Sequence, residues 1–158
     1  MALTKIADAG MPSGAVLQVV QTVKTDSFST SSGSFVDITG LSAAITPLST
    51  SSKILVDVRI GGYECSAAVV IMFNILRGST TLSTGTAGQG TACTMGVTIN
   101  TDRGENAGMI LLDSPSTTSA TTYKVQMAVI NAGTTAIINE RTGSYSTIST
   151  ITLTEIAG

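Results

Sequence analysis

The chain has 158 residues, of which 42% are apolar and only 11% charged, and its net charge is −2. That length makes one domain with a sizeable core, and the Ser and Thr that replace charge suit the solvent faces of strands better than those of helices. An acidic balance without any run of Lys or Arg excludes the electrostatic footprint of nucleic-acid binding, and the absence of His and Trp removes the usual general base, the commonest transition-metal ligand and the best base-stacking ring.

Residues 1–14 contain Gly10, Pro12 and Gly14 without a hydrophobic period, which predicts an extended N-terminal arm ahead of a domain spanning 15–158. Lys5 is followed by Asp8, Gly10 and Pro12 rather than by an apolar core, so no secretory signal is expected. The sequence AVLQVVQTV at 15–23 predicts a first strand, followed by a polar loop over 25–34. A second strand is expected over 35–38, closed by Gly40. After Pro47, residues 53–60 alternate cleanly, with Ile54, Val56, Val58 and Ile60 on one face and Lys53, Leu55, Asp57 and Arg59 on the other. Such a pattern marks a half-buried antiparallel strand. Gly61-Gly62 then breaks or bulges the chain.

The most apolar segment is 67–76, and its uninterrupted run of 67–73 is far short of the ~20 residues that cross a bilayer. Residues 78–96 are dominated by Thr, Ser and Gly, which predicts a long loop leading into a short strand at 95–99. Asp102-Arg103-Gly104-Glu105-Asn106 reads as a turn before an apolar strand at 109–112, and Asp113-Ser114-Pro115 as another. Strands at 121–130, 135–139 and 147–156 complete the set, with Tyr123, Val125, Met127 and Val129 on one face of the first. Eight to ten short strands separated by turn signals predict an all-β protein, an antiparallel β-sandwich of jelly-roll type.

Chemistry is hard to find in this pattern. A serine nucleophile needs a base, and without His only Lys5, Lys24, Lys53 or Lys124 could serve; no Gly-x-Ser-x-Gly elbow occurs. Asp57, Glu64, Asp102, Glu105, Asp113, Glu140 and Glu155 could supply a glycosidase carboxylate pair, but three Tyr and three Phe offer few sugar platforms. Asp102, Glu105 and Asn106 do not match a calcium loop. Gly85, Gly88 and Gly90 lack the strand-to-helix setting of a phosphate loop. Cys65 and Cys93 read as independent thiols in a reducing compartment. The expectation is a protein with no catalytic residue, no cofactor and no metal.

The strand within 67–76 is apolar on both faces: Val69, Ile71, Phe73 and Ile75 on one, Val70, Met72 and Leu76 on the other, with Asn74 as the polar exception. An antiparallel sheet usually leaves one face to water, so the second face needs a cover, either a loop or arm of the same chain or another subunit. Low charge and a mean hydropathy of +0.39 favour the subunit, making these seven residues the candidate oligomer interface.

Several phrases then stand out together: SGAVLQVVQT at 13–22, SSGSFVDITGLSAAITPLSTSSKILVDV at 31–58, FNILRGSTTL at 73–82, DSPSTTSATTYKVQM at 113–127 and TISTITLTEIAG at 147–158. From Ser13 onward the chain resembles small virion structural proteins of tailed bacteriophages, especially marine and cyanobacterial phages, described as tail-fibre-like, head-fibre or capsid-decoration proteins. The resemblance implies a jelly roll related in shape to trimeric tumour-necrosis-factor-type heads and fibre knobs. It further implies a homotrimer located in the virion after synthesis in the host bacterial cytoplasm, and it carries no catalytic residues.

A capsid decoration or cement protein would bind the major capsid protein or another virion protein through its arm, making Leu3, Ile6, Met11 and Pro12 the candidate attachment residues. A tail-fibre tip would instead meet a host surface glycan, and a carbohydrate-binding module is the alternative from another class. The sequence contains no collagen-like repeat or heptad run of a shaft, which favours decoration. Neither nucleic acid nor membrane is expected as a partner.

Overall fold

Period-two alternation decides which way most of these residues point. In the computed structural model, which describes residues 11–86, 91–99, 105–141 and 144–158, Ile54, Val56, Val58 and Ile60 are each at most 1% exposed, as their spacing requires. The strands of the described residues are β1 (Val16–Lys24), β2 (Phe28–Thr30), β3 (Val36–Ile45), β4 (Lys53–Cys65), β5 (Val69–Arg77), β6 (Thr80–Thr81), β7 (Met95–Ile99), β8 (Glu105–Asp113), β9 (Thr121–Val129), β10 (Ala136–Ile138), β11 (Glu140–Arg141), β12 (Tyr145–Ser146) and β13 (Ser149–Ile156).

Two antiparallel sheets face each other. The first runs β1-β13-β4-β8, with β2 and β10 extending its β1 and β13 rows; the second runs β3-β9-β5-β7, with β6 extending the β7 row. Taken in chain order, the eight principal strands pair first with last (β1 with β13), second with seventh (β3 with β9), third with sixth (β4 with β8) and fourth with fifth (β5 with β7). Nested pairs laid alternately in opposite sheets are the topology of a jelly roll. Inward residues of both sheets form one core around Phe73, Tyr123, Met127, Leu41 and Ile151, all fully buried.

Several boundaries differ from those expected. Gly40 does not close a strand: β3 passes through it with φ at +81°, and the register against β9 shifts between Asp37 and Ser42. Glycine accepts this left-handed step without a Cβ clash, so the strand bulges and continues. Gly61-Gly62 likewise bulges β4 without ending it, the register against β8 shifting between Ile60 and Tyr63. The polar 25–34 loop contains β2. Glu105 and Asn106 belong to β8 rather than to a turn, while residues 102–104 lie outside those described.

Polar groups tie the two sheets together at one end of the sandwich. Buried Tyr123 of β9 donates to Asp113 Oδ2 of β8 at 2.7 Å, and Arg77 Nη1 of β5 donates to both oxygens of the same carboxylate at 2.8 Å. Burial first, and the Asp113 carboxylate second, push the Tyr123 phenol well above its ordinary value. A second network sits where the chain entering β13 crosses β4. The Gly61 N–H donates to Ser149 Oγ (3.0 Å), which donates to Asn139 Oδ1 (2.6 Å). The Asn139 amide in turn donates to the carbonyls of Lys24 and Asp26. Asn139 takes φ of +65°, a conformation that Asn tolerates better than most residues.

Candidate functional site

The residues expected to form a subunit contact are accounted for within one chain. Val69, Ile71, Phe73 and Ile75 point into the core and are at most 4% exposed, so they leave no surface for a partner. On the opposite face of β5, Met72, Asn74 and Leu76 are also buried and Val70 is half-buried. The segment leading into β7 returns to this face: the Thr94 N–H donates to Asn74 Oδ1 (3.0 Å), and Thr94 Oγ1 accepts from the Ile75 N–H (3.2 Å). The cover is therefore intrachain, and the double-sided pattern does not require a subunit to complete it. Of the attachment candidates, Met11 is half-buried and Pro12 exposed; Leu3 and Ile6 lie outside the described residues. Just after them, Gly14 and Ala15 exchange backbone hydrogen bonds of 2.8 Å with Ala157, which ties residues 14–15 to the end of the chain's last strand.

The surface left bare is the outer face of the first sheet. Register places Val19, Thr154, Leu55 and Leu112 in one row across β1, β13, β4 and β8. The next row holds Gln21, Thr152, Asp57 and Ile110, and the third Val23, Thr150, Arg59 and Gly108. Exposure is 59% at Val19, 61% at Leu112 and 52% at Ile110, and Val16 and Val23 are similarly open. The two charges at the centre cancel, since Arg59 pairs with Asp57 at 2.7 Å. The outer face of the second sheet is different in kind. There Asp37 accepts from Lys124 and Gln126, each at 2.7 Å, and those bonds, Lys124 first, hold its carboxyl below the ordinary range.

The bare face had one signal in the sequence and owes one residue to a bulge. Met109 to Leu112 is a run of four apolar residues, so a strand there must be apolar on both sides. In β1 a register shift between Val16 and Gln18 brings Val16 onto the side of Val19 and Val23, which strict alternation would not do.

At one margin of this face, a cleft of about 640 Å³ opens between β4, β8 and the chain entering β13. Gly61 and Gly108 form its floor, Ile148 an apolar wall, and Arg59, Asn106 and Thr147 its polar groups. A Cβ on Gly108 would lie 3.0 Å from Arg59 Cδ and 3.2 Å from its Nη1, so the bare glycine lets the guanidinium lie across β8. Arg59 Nε and Nη2 donate to the two oxygens of Asp57 at 2.7 and 3.2 Å, which orients the fork and leaves Nη1 outside that pair. The Thr147 hydroxyl is buried and has no hydrogen-bond partner among the described residues.

A smaller cavity of about 210 Å³ borders Glu64, Cys65 and Ile137. Burial first, then the charge of Glu64, pushes the Cys65 thiol up to about 11, which makes it a poor nucleophile near neutrality. Both cysteines are free thiols. Among the described residues, no three His, Cys, Asp or Glu side chains gather into a group that could hold a metal ion, and no helix is long and apolar enough to cross a membrane.

No protein family matches the chain, and no curated protein matches its sequence. A solved structure of infectious bursal disease virus, Gx strain, aligns with 92% of this chain and 39% of that one, with a TM-score of 0.49 and 15% sequence identity. The chain thus spans well under half the length of that neighbour.

Proposed function

We propose that the protein is a structural component of a virion: a homotrimeric decoration or head-fibre-type subunit that attaches to the capsid surface of a tailed phage. The observation that carries the assembly part of this reading is the bare outer face of the first sheet. Four strands about 4.8 Å apart, each contributing about eight residues at ~3.3 Å, present a planar footprint of roughly 500 Å². That area is the whole face; its exposed apolar part is carried by Val16, Val19, Val23, Ile110 and Leu112. Its occupant in this reading is a second copy of the chain. A face with internally paired charges offers little to a nucleic acid or a charged surface, and in a closed threefold ring it meets a different surface of the next copy, one that must also be low in charge. The phage phrases in the sequence and the jelly-roll topology support the virion assignment.

Light scattering on the purified protein tests the assembly, with an expected mass three times the 16.0 kDa of the chain. Leu112→Asp and Val19→Asp should each yield a folded monomer with an unchanged β-spectrum, because each introduces a charge that stays hydrated in the free subunit and is buried only in the assembly. A wild-type monomer at micromolar concentration would refute the oligomer, and a trimer indifferent to both changes would refute this surface. Copy number per virion tests the position: hundreds support capsid decoration, and a handful would place the protein in the tail.

A further inference from the structure

We infer that the cleft between β4, β8 and the chain entering β13 is a binding site for a neutral saccharide unit. Every group in the cleft comes from one chain, and the cleft meets the bare face along the row that holds Arg59 and Gly108. Its volume of about 640 Å³ falls within the ~300–1,000 Å³ of small-ligand sites.

The chemistry of the lining selects the ligand class. Arg59 is locked by its two bonds to Asp57, so its Nη1 donors are held in place before any ligand arrives. Asn106 follows the outward side of β8, two residues from Gly108, and adds an amide that can both donate and accept. Ile148, 54% exposed, supplies an aliphatic surface.

An apolar ligand would desolvate the Arg59 and Asn106 donors without replacing their hydrogen bonds, which is costly. An anion gains little, because Asp57 already neutralises Arg59 and the chain as a whole carries a net negative charge. A neutral ring with hydroxyls at its rim and C–H groups on its face satisfies both kinds of surface. Its hydroxyls pair with Nη1 and the Asn106 amide, and its C–H face rests on Ile148.

Amide-shift titration of the isotope-labelled full chain tests this, with glucose, galactose and N-acetylglucosamine as neutral probes and acetate and phosphate as anionic ones. Saturable millimolar shifts at Gly61, Gly108 and Ile148 are expected with at least one sugar. Arg59→Met and Asn106→Ala, both at exposed positions, should each weaken that binding at least tenfold while leaving the melting temperature unchanged. Asp57→Asn unlocks and unmasks the guanidinium, so it should weaken the sugar and strengthen the anions. Shifts with acetate or phosphate alone would make this an anion site and overturn the inference. No saturable shift with any probe, or sugar binding indifferent to both Arg59→Met and Asn106→Ala, would overturn it as well. Light scattering on Arg59→Met and Asp57→Asn reports whether the assembly is intact, so loss of sugar binding in an unchanged oligomer and loss of assembly are read separately.

Discussion

Gly61 gives the sharpest test of how the β13 entry is packed on β4. A methyl group built on Gly61 would overlap the carbonyl oxygen of Ile148, and would sit 2.5 Å from Thr147 Oγ1 and 2.8 Å from Asn139 Oδ1. Two of these neighbours are held in place: Ile148 by its own backbone, and Asn139 by hydrogen bonds to Ser149, Lys24 and Asp26. Gly61→Ala must therefore push the 147–148 chain outward and stretch the Gly61-to-Ser149 bond. Forced repacking costs about 1–3 kcal/mol, and stranding one buried donor or acceptor costs about 1–3 kcal/mol more. We expect a loss of about 3–5 kcal/mol, a large part of the ~5–15 kcal/mol that holds a domain together. At about 2–4 °C per kcal/mol for a chain of this size, the melting temperature should fall by roughly 10–15 °C.

Two other glycines separate the steric cause from a general intolerance of side chains. Gly78 has φ of +58° with open space around it, so Gly78→Ala should cost only about 1 kcal/mol, from backbone strain alone. Gly85 has open space and no left-handed φ, so Gly85→Ala should stay within about 0.5 kcal/mol of wild type. The assay is thermal unfolding followed by circular dichroism at one fixed protomer concentration, because assembly makes the midpoint concentration-dependent. A Gly61→Ala protein that melts with Gly85→Ala would show that the β13 entry does not lie against β4.

Three further outcomes follow from the polar groups and thiols. Tyr123→Phe removes one hydrogen bond to a carboxylate and should cost about 1.5–3 kcal/mol, whereas Asp113→Asn also deprives Arg77 of its charged partner and should cost more; urea midpoints in the reverse order would refute the clamp. The Tyr63, Cys65 and Tyr123 values are all raised, each chiefly by burial, so the fold favours their neutral forms. Their contribution is complete below the unfolded values of 9.0 for the thiol and 10.0 for the phenols and is lost as pH rises through the folded ones. The urea midpoint should be flat from about pH 7 to 8.5 and fall above about pH 9, and a midpoint unchanged to pH 10.5 would contradict it. In the native protein, iodoacetamide at pH 8 should label half-buried Cys93 well before buried Cys65.

Where burial follows a strict period of two, the sequence was sufficient. Burial alternates over residues 53–60 around Val56 and over 123–127 around Val125, and the inward residues there are those the spacing selects. The jelly-roll class followed from many short strands between turn residues, although first-with-last pairing is a long-range property that no local pattern contains. Glycine was harder to interpret because it reports only that the backbone is free to deviate. Whether the chain then turns or bulges depends on what lies across from it. At Gly40 and at Gly61-Gly62 a neighbouring strand resumes its pairing beyond the irregularity, so both are bulges.

The same limit explains why the interface expectation fell on β5. Periodicity states that both faces of a strand are apolar, and is silent on what covers the second. On β5 the cover is built from residues with no apolar signature: Thr94 is held by Asn74, the one polar side chain on that face, and by the backbone of Phe73 and Ile75. Asn74 marks where the returning chain docks, and a hydrogen-bonding residue alone on an apolar face is the mark of a loop that belongs to the same chain. The face formed by Val19, Leu55, Ile110 and Leu112 is different: Arg59 pairs with Asp57 along β4, and Thr150, Thr152 and Thr154 stand one in each row along β13. Among the described residues Val19, Ile110 and Leu112 stand exposed, so what covers them must match that apolar area. That requirement is met by another folded surface, and it makes the outer face of the first sheet, rather than β5, the place where assembly should fail first under mutation.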